Sequence, residues 1–63
     1  MDKPKTAAEW FELGVSYRKE QRWGDAINAF NKSRELEPSE VTDATIDSIY
    51  QILRFVNKDL MNP

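Results

Sequence analysis

From Thr6 onward, apolar positions recur at helical intervals in three stretches. In the first, Ala7, Trp10, Phe11, Leu13, Gly14, Val15 and Tyr17 fall at spacings that fit a period of about 3.6 residues. Thr6 and Glu9 stand three apart, the spacing of a capping box in which each side chain satisfies the other's free backbone N–H. This predicts a helix over 6–20, preceded by a short charged tail broken at Pro4. The second stripe runs through Ala26, Ile27, Phe30, Ser33 and Leu36 and predicts a helix over 23–37. Pro38 ends it, because proline disfavours helical geometry at the residue before it. A third helix follows over 40–60, capped by Ser39 or Thr42, with Glu40 or Asp43 near its positive end. Short connections make the expected fold all-α, a three-helix antiparallel array in one domain over 1–63.

The third stripe is wider than a buried face requires. Ile46, Ile49, Leu53, Val56 and Leu60 alternate steps of three and four, which is heptad spacing. Tyr50 and Ile52 broaden this seam and Met61 extends it, to roughly 180° of the helix against the ~100° of a one-sided helix. Phe55 lies almost opposite. Only two other helices exist to cover this one, so part of its surface is expected to meet another molecule.

Composition narrows the classes of function. A chain of 63 residues has a thin core, since a domain of that size buries only about 60% of its unfolded surface. It contains neither cysteine nor histidine, which removes disulfides, Cys/His zinc sites, thiol catalysis and the usual proton shuttle. Extra stability is then expected from oligomerisation or from docking on a partner. Nine basic and eleven acidic residues give a net charge of −2, a balance that argues against nucleic acid as a partner. No apolar run approaches the ~20 residues of a membrane span. A soluble, cytoplasmic protein is expected.

Trp10-x2-Leu13-Gly14-x2-Tyr17, then Ala26-x3-Phe30, then Pro38, resembles the tetratricopeptide (TPR) repeat, a helix–turn–helix unit of about 34 residues. Each of these positions also has a physical reason: Gly14 and Ala26 are small enough to let two helices approach, and Trp10, Leu13, Tyr17 and Phe30 fill the space around that contact. Trp23 is expected to pack over the turn. Two departures stand out. Ser33 occupies a position usually held by alanine, and Gln21 one usually held by glycine, where the chain reverses. Either Gln21 adopts a left-handed backbone at a cost of about 1 kcal/mol, or the turn has moved to use Gly24. A second repeat would place its motif at Ala44, Asp47, Ser48 and Gln51, none of which fits, so the third helix resembles the capping helix of repeat arrays.

The resemblance implies a protein-interaction module and no enzyme, with no cofactor. In the family, peptides lie in a groove lined by positions that correspond to Ala8, Phe11, Val15, Arg18 and Lys19. Phe11 and Val15 replace the polar residues with which some members clamp a carboxylate, leaving an apolar stripe rimmed by Arg18 and Lys19. Either the third helix of the same chain covers that stripe or a helix from another molecule does. The leading expectation is a homodimer or higher oligomer, its interface formed by Ile49, Ile52, Leu53, Phe55 and Val56 with Phe11 and Val15 as receptors. A monomeric adaptor that docks a peptide or helix of a larger protein is the alternative. Glu40, Asp43 and Asp47 could gather around a hard cation, but a solvated acidic face at a helix start accounts for them, and no metal is expected. Arg18, Lys19 and Arg22 are similarly accounted for by a helix C-terminus.

Overall fold

A computed structural model describes residues 3–61, with side chains through Arg54. Three helices follow one another: α1 over Ala7–Lys19, α2 over Trp23–Leu36 and α3 over Glu40–Met61. Among the described residues there is no strand. The all-α three-helix array expected from the apolar spacing is therefore what the chain forms.

Local chemistry sets each boundary. Thr6 Oγ1 accepts the Glu9 N–H at 3.2 Å while Glu9 Oε1 accepts the Thr6 N–H at 3.1 Å, the capping box read from the sequence. At the other end of α1 the Gln21 N–H donates to the Arg18 carbonyl and the Arg22 N–H to the Tyr17 carbonyl, both at 2.9 Å. This pair of bonds is a Schellman closure, which places its left-handed residue just past the cap. That residue is Gln21, with φ of 61°. Gly24 has no positive φ and sits in the first turn of α2, so the turn has not moved to it. The last turn of α2 closes on Glu37, which is extended at φ −152° and ψ 102°, as the following Pro38 requires. Ser39 caps α3: its Oγ accepts the Val41 N–H at 3.2 Å. Thr42 lies inside the helix instead and is buried.

The core is built around Phe30. Ala26, Phe30, Ile46 and Ile49 form the buried cluster, and Phe11, Val15, Tyr17, Trp23, Ile27 and Leu53 pack against it half-buried. A Cβ on Gly14 would stand 2.7 Å from a ring carbon of Phe30, so only glycine lets α1 lie this close to the ring. Ser33 is buried as well, and its Oγ donates to the Ala7 carbonyl at 2.8 Å, tying the end of α2 to the start of α1. An alanine there would fill similar space without that bond. Leu36, counted with the α2 stripe, is instead 50% exposed. The bond from Ser33 reaches the first residue of α1, so Leu36, three residues further along, has passed the end of its neighbour.

The middle helix holds the array together. α1 and α3 both pack on α2 and touch each other little. α3 has 22 residues and α2 has 14; at a rise of about 1.5 Å per residue, α3 outruns its support by roughly 12 Å.

Candidate interaction surface

Burial on α3 follows the seam read from the sequence over its first half. Thr42, Ile46 and Ile49 are buried and Leu53 is half-buried against the core. Ile49, expected at an interface with another molecule, is therefore part of the protomer's own core, and this corrects that expectation. The steps of three and four that suggested self-pairing arise here because the α1–α2 hairpin presents the apolar face that α3 covers. Leu53 is also committed in part to that contact. Phe55 and Val56 lie outside the described side chains.

What α3 leaves in solvent is on its flanks. Val41 is 66% exposed, Tyr50 52% and Ile52 36%. The sequence had marked Tyr50 and Ile52 as widening the stripe. Val41 carried no signal of its own, since it begins the helix ahead of the repeating pattern.

Phe11 and Val15 are half-buried rather than free. The Phe11 ring meets the edge of Phe30 with centroids 5.1 Å apart and planes at 62°, and Val15 packs on the same cluster. Phe11 still forms one wall of a shallow apolar groove of about 270 Å³. Ala7 and Ala8 of α1, Ser33 near the end of α2, Glu37 and Ser39 of the connection, and Val41 and Thr42 of α3 line the rest of it. The groove thus lies where α1 and the start of α3 stand apart. Val15, Arg18 and Lys19 do not line it, although they were expected in the same surface. Arg18 is half-buried and Lys19 exposed on the last turn of α1.

Some of the charged groups are occupied locally. Arg22 lies 4.8 Å from the Tyr17 ring centroid and 2.7 Å from Asp25 Oδ2, which uses the cation of the basic patch within the turn. Asp43 Oδ1 pairs with Arg34 at 3.3 Å, and Asp47 Oδ2 accepts from Gln51 Nε2 at 3.0 Å. Among the described residues no three metal-ligating side chains converge, and no helix is long and apolar enough to cross a membrane.

Against known proteins, a family model described as tetratricopeptide repeat matches residues 7–40, just over half of the chain. No curated protein and no solved structure matches it.

Proposed function

Because the chain belongs to the tetratricopeptide repeat family, whose units are protein–protein interaction modules, we propose that this one works by pairing with a second copy of itself. The observation that carries the reading is the apolar surface that α3 leaves on its flanks. Tyr50 and Ile52 stand beside the buried Ile49 and the half-buried Leu53, yet they face away from the hairpin and are 52% and 36% exposed. Repeat arrays draw stability from neighbouring units, about three being needed for independent stability, and a two-fold dimer would give this repeat a neighbour. The family is a non-catalytic one, which supports a role without enzymatic chemistry. Sedimentation at tens of micromolar tests the proposal: a concentration-dependent mass approaching twice 7.4 kDa is expected, and a monomer at every concentration overturns it.

The groove between Phe11 and Val41 favours a second reading, a monomeric adaptor that takes an apolar side chain of a larger protein. A mass independent of concentration, together with a stoichiometric complex with a purified partner that Phe11→Ala abolishes, would select that reading over self-association.

A further inference from the structure

One strip of α3 is divided by charge along its length. Asp43, Asp47, Tyr50 and Arg54 follow one another at steps of four, three and four, and all four are exposed. Each stands one residue after a core-facing position, Thr42, Ile46, Ile49 and Leu53, and is therefore turned about 100° away from the hairpin. The first half of the strip is acidic, with Glu40 one turn earlier. Its other end is basic, at Arg54.

We propose that this strip pairs antiparallel with the same strip of a second copy, about a two-fold axis passing between Tyr50 and Gln51. The inference rests on the self-association reading and assigns it a face and a direction. In that register position 47 lies opposite position 54, twice by symmetry. Both contacts then join a carboxylate to a cation, whereas a parallel arrangement would set acid against acid and base against base. Asp47 uses one oxygen on Gln51 and Asp43 one on Arg34, and a carboxylate has a second oxygen to offer. Tyr50, 52% exposed, sits beside the axis against its own copy, and tyrosine is a residue type enriched where interfaces draw most of their energy. A single helical strip lies at the small end of interface sizes. The dimer is accordingly weak, and it loosens with salt because its charges are exposed.

Two charge reversals test both the register and the direction. Asp47→Arg alone sets cation against cation at both ends of the interface, and Arg54→Asp alone sets carboxylate against carboxylate. Each is expected to weaken self-association about tenfold or more, near 1.4 kcal/mol, in sedimentation at ~50 mM salt. Mixed in equal amounts, the two variants form a heterodimer in which every opposed pair again has opposite signs, so association recovers. Both positions are exposed, and circular dichroism of each variant checks that the helices persist; Asp47→Asn and Arg54→Gln serve as milder substitutes if they do not. A native dimer that neither reversal weakens, or a mixture that associates no better than its components, overturns the antiparallel strip and leaves self-association standing. A native chain that stays monomeric overturns both.

Discussion

The α1–α2 hairpin and α3 draw on apolar sequence to different ends. In the hairpin, Gly14, Ala26 and Ala29 keep the backbones close, and the ring of Phe30 fills the space they leave. Phe11, Val15, Tyr17, Trp23 and Ile27 pack against that ring and its neighbours. α3 contributes Ile46 and Ile49 to that cluster, yet it holds Val41, Tyr50 and Ile52 in solvent. The motif residues Gly14, Ala26 and Phe30 are buried by their own repeat, and a residue outside the motif need not be. Surfaces left for partners are therefore found on the element that the motif does not cover.

The strongest way to break this comparison is to empty the shared core from each side. Phe30→Ala should cost about 3–5 kcal/mol and Ile49→Ala about 2–5 kcal/mol. A domain of this size has little more than that to lose, so both variants are expected to be largely unfolded by circular dichroism at 25 °C. If Ile49→Ala instead kept a native thermal transition, α3 would be an appendage and not part of the core.

The two glycines sharpen it next. Alanine at position 14 meets the Phe30 ring, and overpacking of this kind typically costs about 1–3 kcal/mol. At Gly24 an added Cβ has nothing within 4 Å, and replacing a helical glycine by alanine gains roughly 0.5–1 kcal/mol. Opposite shifts in the denaturant midpoint are expected, downward for Gly14→Ala and upward for Gly24→Ala. Equal signs would mean that the close approach of α1 and α2 does not depend on Gly14.

At Gln21 the comparison turns on the backbone alone. Its φ of 61° is a left-handed conformation that costs a side-chain-bearing residue about 1–2 kcal/mol, partly offset because glycine has more freedom to lose on folding. Gln21→Gly should therefore raise stability by about 0.5–1 kcal/mol, read as a higher melting temperature.

Sequence reached unequal depths in the two regions, for physical reasons. Trp10, Leu13, Gly14, Tyr17, Ala26, Phe30 and Pro38 signal the hairpin because helix contact within one repeat depends on residues close in the chain. Thr6 with Glu9 marked the start of α1 for the same reason. Coverage of α3 depends on which arc of its wide stripe the hairpin meets, which no periodicity within α3 records. Ile49 and Tyr50 looked alike in the stripe, yet one is fully buried and the other half exposed. Whether the left-handed residue was Gln21 or Gly24 also stayed open, since both could close the turn and only the bonds to Tyr17 and Arg18 select between them.

The smallest expected effect isolates the unpartnered flank of α3. Val41 is 66% exposed at the first turn, so Val41→Ala removes methyl groups that are mostly in water already. Alanine is also the better helix former by up to about 0.7 kcal/mol, which offsets the little burial that is lost. The net change should lie within about 0.5 kcal/mol, the usual range for a surface substitution. The matched change on the core face, Ile49→Val, removes a single methylene group and should still cost about 0.5–1.5 kcal/mol. Urea midpoints of the two variants, measured below the concentration at which the chain associates, compare the faces directly. A loss above 1 kcal/mol at Val41 would mean that the protomer itself buries this flank, and the contrast between saturated hairpin and half-partnered helix would fail at its most exposed position.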